Sequence, residues 1–167
     1  MSHHLPRAAA AVVTAARSLG LDLDVREFPE GTRTAADAAR AIGCQVDQIV
    51  KSLVFVADTD PVLVLTSGGN RVDVVKVGRE RSAATVRKAD AGEVRAATGY
   101  AIGGTPPFGH ARDLPVLIDR NLTGFEEVWA AAGTPRHVFP IAPGDLLRAT
   151  GGLVADVTLV EDGPPAG

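Results

Sequence analysis

The sequence predicts a single α+β domain built on a mixed β-sheet flanked by short helices, and three observations lead there. Two apolar, β-branched runs at 48–57 and 61–66 meet at the turn-forming Asp58, Thr59, Asp60 and Pro61, the pattern of a hairpin. Short stretches of helical periodicity stop at Gly20, Gly43, Gly99 and Gly151, where a left-handed residue can close a last turn. Strand-like and helix-like segments alternate over 167 residues with no internal repeat and no linker. One domain over 1–167, with its core at about 21–160, is therefore expected.

Each element has its own signal. Residues 6–19 are alanine-rich and read as a helix closed by Gly20. In 21–28, Leu21, Leu23 and Val25 alternate with polar neighbours, which predicts a half-buried strand. A loop at 29–33 leads to Thr34, which with Asp37 resembles a capping box opening a helix that ends at Gly43. The two hairpin strands follow. Ser67, Gly68, Gly69 and Asn70 make a turn without the Gly-Lys-Ser/Thr ending of a P-loop, and Asn70 is expected to cap a helix with Asp73 in its first turn. Residues 90–98 form a helix stopped by Gly99, and 114–119 a strand. Periodicity leaves 125–132 open between helix and strand. A turn at 134–137 enters the apolar 138–141, Pro143 opens a helix to Thr150, 153–157 is a final strand, and 161–167 reads as a frayed tail.

Composition excludes several classes of function. No apolar stretch approaches the roughly 20 residues of a membrane-spanning helix, and the N-terminus lacks a signal-peptide pattern. A lone cysteine, Cys44, excludes an intramolecular disulfide and fits a small hydrophobe, so the expectation is a cytoplasmic protein without membrane association. Net charge is −3 and no basic stripe stands out, which argues against gripping duplex DNA and limits any nucleic-acid contact to something small, such as a strand end. Aromatic residues at 4% argue against a base-stacking platform. His3, His4, His110 and His137 lack metal-ligand spacing, and no dinucleotide fingerprint or Gly-x-Ser-x-Gly elbow is present, so neither a metal nor a cofactor is expected. A hydrolase on this chain would need an already activated substrate, with the protein supplying position and charge.

Two stretches could supply them. Of 17 Lys and Arg residues only Lys51, Lys76 and Lys88 are lysines, and Lys51 lies in the apolar 48–57 strand, on one face with Leu53 and Phe55. Its ammonium must either snorkel to water at the strand end or meet an anion in a pocket. The loop 100–110 carries Gly103, Gly104, Thr105, Pro106 and Pro107, stiff at its prolines and permissive at its glycines. Such a loop either aims several backbone N–H groups into one concavity or simply makes a tight connection.

Together, Gln48 to Phe55 and Gly103 to Pro107 resemble the YbaK family, the free-standing relatives of the prolyl-tRNA synthetase editing domain. The resemblance runs from about Thr34 to Val157. It implies a mixed, partly barrel-like sheet and a trans-editing aminoacyl-tRNA deacylase, with tRNA-Pro carrying a small amino acid as substrate. The tRNA acceptor end would be its partner, and prolyl-tRNA synthetase a further candidate. It puts the catalytic lysine at Lys51 and the substrate loop at Gly103, Gly104, Thr105, Pro106 and Pro107. Ser52 and Thr34 become candidates to line the aminoacyl pocket, and His137 a candidate polar pocket residue. Alternation points Ser52 away from Lys51 unless the strand bends. Thr34 also reads as a plain helix cap, and His137 as a surface histidine at a turn. Residues 131–136 depart from the Gly-Lys-Arg-Gly pattern of some members, which leaves alanyl, seryl or another small residue open in place of cysteinyl. The alternative function is a non-catalytic regulatory module that binds tRNA ends or a nucleotide.

Overall fold

The structure, a computed structural model, describes residues 4–29 and 34–160; His3, most of the expected 29–33 loop and the tail from 161 lie outside them. Among the described residues five helices and eight strands run in the order α1 (Arg7–Ser18), β1 (Arg26–Glu27), α2 (Ala35–Ile42), β2 (Val50–Ala57), β3 (Asp60–Ser67), α3 (Val74–Arg81), β4 (Val86–Lys88), α4 (Ala91–Thr98), β5 (Val116–Asp119), β6 (Val128–Ala131), β7 (His137–Ile141), α5 (Pro143–Thr150) and β8 (Leu153–Ala155). Single 3₁₀ segments at Val46–Gln48 and Arg120–Gly124 join them.

The β2–β3 hairpin is unbroken from Ala57 opposite Asp60 to Val50 opposite Ser67, because both runs are apolar and β-branched. β3 is the interior strand: Val62, Leu63, Val64 and Leu65 are all fully buried, so side chains on both faces are apolar and no alternation shows. It is extended by parallel pairing to β5 and then β8, while β4 adds to the outer side of β2, giving a mixed sheet in the order β4-β2-β3-β5-β8. A second, antiparallel sheet has the order β1-β7-β6. The two touch at an isolated parallel bridge between Ile49 and Trp129 and do not close into a barrel. Val12 and Ala16 of α1, Leu65, Ile118, Phe108 and Phe139 pack between them as the main core.

Local expectations met mixed outcomes, each with a physical cause. Thr34 accepts the amide of Asp37 as the α2 cap, and Gly43, Gly99 and Gly151 close their helices at positive φ. The 21–28 strand shrinks to Arg26–Glu27, since β7 offers partners only at Val138 and His137, although Leu21, Leu23 and Val25 still pack on the core. Asn70 does not cap α3. Asp73 does, accepting from Val75 and Lys76, because the Asn70 carboxamide is committed elsewhere. Pairing with β7 makes 128–131 a strand, which decides the open question at 125–132. β4 went unanticipated, being short and polar with two of its three side chains exposed.

Two glycine contacts hold the loops near the main core. Gly133 sits at φ +94°, and a Cβ there would lie 2.6 Å from the carbonyl oxygen of Ala8 in α1. A Cβ on Gly104 would lie 2.7 Å from the carbonyl oxygen of Gly133. Gly133→Ala is therefore expected to lower the unfolding free energy by at least about 2 kcal/mol in urea titration, combining left-handed strain with overpacking. Gly124→Ala, with open space around it, should stay within about 0.5 kcal/mol of wild type.

At the start of α4, Asp90 and Glu93 exchange side-chain and backbone hydrogen bonds, and Glu93 also takes both Nη atoms of Arg87 at 2.7 Å. The Arg87 bonds, with the Asp90 amide behind them, hold the Glu93 carboxyl at about 2 against an ordinary 4.5. With the folded value below the unfolded one, its contribution is complete above pH 4.5 and lost as pH falls through about 2. Across that window the melting temperature of wild type should fall further than that of Glu93→Gln.

Candidate active site in the gap between the sheets

β2 is paired by β3 along its whole length on one side but by β4 only at 55–57 on the other. The remaining edge, 50–54, faces β6 across a gap. The Val54 carbonyl accepts the Ala89 amide on this outer side at 3.0 Å, so by the alternation of an antiparallel ladder Ser52 also turns its N–H and C=O away from β3 and into the gap. A cavity of about 520 Å³ fills this space. Its walls are 50–54 of β2, the first turn of α2, Ile102, Gly103 and Thr105 of the glycine-proline loop, Trp129 to Ala131 of β6, and Lys88 of β4.

Lys51 is half-buried in that wall, and its Nζ donates to the main-chain oxygen of Asn70 at 2.6 Å. Among the described residues no carboxylate forms an ion pair with it, and two of its three donor hydrogens are left for something else. Burial pushes its ammonium below the usual lysine value, Arg71 pushes it further, Asp119 opposes the shift and Lys88 adds to it. Lys51 lines the cavity, and its ammonium is only partly withdrawn from water.

Ser52 lines the same cavity although β2 does not bend. The cavity runs along the open edge of the strand, so it meets side chains from both faces. The Ser52 hydroxyl oxygen is buried and has no hydrogen-bond partner among the described residues. Thr34 stands at the rim with its hydroxyl engaged as the α2 cap. Across the cavity Gly103 is in the left-handed region at φ +90°, and the Thr105 hydroxyl donates to the Ala101 carbonyl at 3.1 Å.

Other expected site residues lie outside the lining. Gly104 packs on Gly133, where no side chain fits. Pro106 and Pro107 are buried away from the lining; Pro106 holds Nε2 of His110 on its carbonyl oxygen at 2.7 Å, and Pro107 borders a separate cavity of about 310 Å³. Burial pushes the His110 imidazole below its ordinary value, so it donates to Pro106 as a neutral ring. His137 is almost fully buried between the Thr134 hydroxyl (Nδ1, 2.5 Å) and Glu27 (Nε2, 3.1 Å). Strand alternation turns its neighbour Val138 into the cavity instead.

Lys88, Arg71, Asn70 and Asp119 were missed as site residues. The rarity of lysine was a usable signal for Lys88. The third lysine, Lys76, is a structural tie from α3 to Asp156 at 2.9 Å and to the Thr158 carbonyl. Among the described residues no cluster of His, Cys, Asp or Glu could hold a metal ion, and the cavity lining carries none of those four residue types. No helix among them is long and apolar enough to cross a membrane.

Residues 29–149 match the aminoacyl-tRNA editing domain family. The chain belongs to that family. A solved structure of a proposed trans-editing enzyme for prolyl tRNA synthetase superposes with a TM-score of 0.90 at 47% identity, over 94% of this chain and all of that one. The uncharacterized protein YwhH of Bacillus subtilis is 33% identical over 74% of this chain and 78% of its own length. A proposed Cys-tRNA(Pro)/Cys-tRNA(Cys) deacylase, EbsC of Enterococcus faecalis, is 26% identical over 80% of this chain and 82% of its own.

In this editing domain the orphan Ser52 hydroxyl loses its hydration on folding without regaining a bond. Ser52→Ala should leave stability unchanged or raise it by up to about 1 kcal/mol, measured by urea unfolding.

Proposed function

We propose that this protein is a trans-editing hydrolase that deacylates mischarged aminoacyl-tRNA, removing a small amino acid from tRNA-Pro, with prolyl-tRNA synthetase as the enzyme whose errors it corrects. One observation carries the reading: Lys51, which has no carboxylate ion-pair partner among the described residues, lines a largely apolar cavity together with Gly103 and Thr105. Such a cation suits an anionic group, either a terminal phosphate or the oxygen of an ester carbonyl as it gains charge. The name of the trans-editing neighbour and that of EbsC support the same chemistry.

An aminoacyl ester is reactive enough that position and electrostatics suffice. Water adds to the ester carbonyl, and the tetrahedral oxyanion is stabilised by the Lys51 ammonium and by the amides of Gly103 and Thr105, the two loop residues that line the cavity. The ribose oxygen then leaves, carrying a proton that derives from the water, and the neighbouring ribose hydroxyl helps orient the attack. In this reading Ser52, at the open edge and with a hydroxyl that has no partner among the described residues, binds the aminoacyl moiety. The alanine, valine and isoleucine side chains around it, with no acidic residue in the lining, favour a small uncharged amino acid.

The test is a deacylation panel of alanyl-, seryl-, cysteinyl- and prolyl-tRNA-Pro. Wild type should hydrolyse at least one mischarged species and spare prolyl-tRNA. Lys51→Ala should lower kcat for it on the order of a hundred- to a thousandfold. Because Lys51 titrates below the usual lysine range, enzymatic turnover should fall on the alkaline side below pH 10.5, after subtraction of spontaneous ester hydrolysis. No turnover on any member, with tRNA binding retained, would overturn the reading.

A further inference from the structure

The hydrogen bond from Lys51 ends on the main-chain oxygen of Asn70, so whatever places that oxygen aims the ammonium. The oxygen belongs to the turn after β3, and the turn is clamped. Gly68 and Gly69 lie against the 46–48 segment so closely that a Cβ on either would come within 2.3 Å of the Val46 carbonyl or 2.2 Å of the Asp47 carboxylate. The Asn70 amide closes the turn on Ser67 at 2.9 Å. Both ends of the turn then meet one carboxylate oxygen: Oδ2 of Asp119 accepts from the Ser67 amide and from Nδ2 of Asn70, each at 2.9 Å, and from the Thr66 hydroxyl at 3.2 Å. Oδ1 accepts from the Asn121 amide at 2.9 Å and the Thr158 hydroxyl at 3.4 Å.

Asp119 is 1% exposed at the end of an apolar strand and has no cationic partner in ion-pair contact among the described residues. A buried carboxylate held only by neutral donors is an expensive way to fasten a turn, because an uncharged group could serve there without the desolvation penalty. Its negative charge has a second use. Of the charged groups that act on Lys51, Arg71 from the turn and Lys88 from β4 are cations, and Asp119 from β5 is the carboxylate that favours the ammonium. We propose that Asp119 is the positioning residue of Lys51, fixing the Asn70 carbonyl that the lysine bonds and bringing a carboxylate charge to the same turn. The catalytic part of this inference rests on the deacylase reading; the electrostatic part does not.

Two variants separate the roles. Asp119→Asn keeps the shape and removes the charge, whereas Asn70→Ala keeps the charge and the main-chain carbonyl but cuts the link between them. Lys51 is titrated directly, by the pH dependence of its acylation with an amine-reactive ester read by mass spectrometry. kcat and KM are measured on whichever aminoacyl-tRNA wild type hydrolyses. In Asp119→Asn the acylation midpoint should move to lower pH, since the charge favouring the ammonium is gone. Its kcat should fall on the order of ten- to a hundredfold, with KM within about twofold. Asn70→Ala should leave the midpoint in place, speed Lys51 acylation at a given pH, and lower kcat on the order of tenfold.

A purely structural Asp119 would lower the melting temperature without moving the midpoint, and that result overturns the proposal. So does an Asn70→Ala protein with wild-type kcat and wild-type acylation rate. Should Asp119→Asn fail to fold, Asn70→Ala decides alone. Should wild type prove inert on every tRNA, the functional reading falls while the acylation titration still decides the relay.

Discussion

Everything about the site depends on β2 being paired along all of one edge and only the last third of the other. A straight, fully bonded hairpin fixes where Lys51 stands, and the missing partner on the outer edge makes room beside it. An unpaired edge inside a fold leaves main-chain donors and acceptors without partners, which proteins ordinarily avoid. Here the gap is bounded rather than closed. β4 ends the pairing at Lys88, and β6 touches the other end of the edge through the Ile49–Trp129 bridge. The orphan hydroxyl of Ser52 lies between those two points.

The loop facing this edge divides its work among its residues. Gly103, at positive φ, carries the backbone past the cavity, while Gly104 lets the next peptide settle on Gly133, which in turn sits on α1. Pro106 and Pro107 lie away from the lining, tied through the Pro106 carbonyl to a neutral His110. A glycine-proline motif that looks uniform in sequence therefore contains one cavity-facing segment and a set of packing supports. Van der Waals contact with α1 and the 133–134 backbone aligns the loop, so its geometry is inherited from elements distant in sequence.

Electrostatics at the gap run against the protein as a whole. The chain is net acidic, yet Lys51 and Lys88 line the cavity and both Lys88 and Arg71 bear on the Lys51 charge, without carboxylate ion pairs to any of the three among the described residues. Buried Asp119 restrains that local excess through its charge and through the turn it clamps. Small, local cation clusters of this kind suit recognition of one end of a nucleic acid better than a long backbone, whose affinity grows with the number of phosphates neutralised.

Much of this was legible in the residues alone. Apolar runs broken by Asp and Pro mark the hairpin, helix-ending glycines mark the caps, and a lysine in a hydrophobic strand marks one wall of the cavity, because these signals act within a few residues of where they are written. The length of β1, the three-residue β4, the identity of 128–131 as a strand and the role of Asn70 were not legible, since each is settled by a partner far along the chain. His137 illustrates the limit. Its type suggests chemistry, but alternation on β7 and bonds to Thr134 and Glu27 remove it from the cavity. Sequence determined which segments could pair and which cation would resist burial, through local backbone preference and the penalty on an unpaired charge. Tertiary structure decided which side chains share the cavity, because pairing register and the place where a strand loses its neighbour are properties of two or more segments meeting.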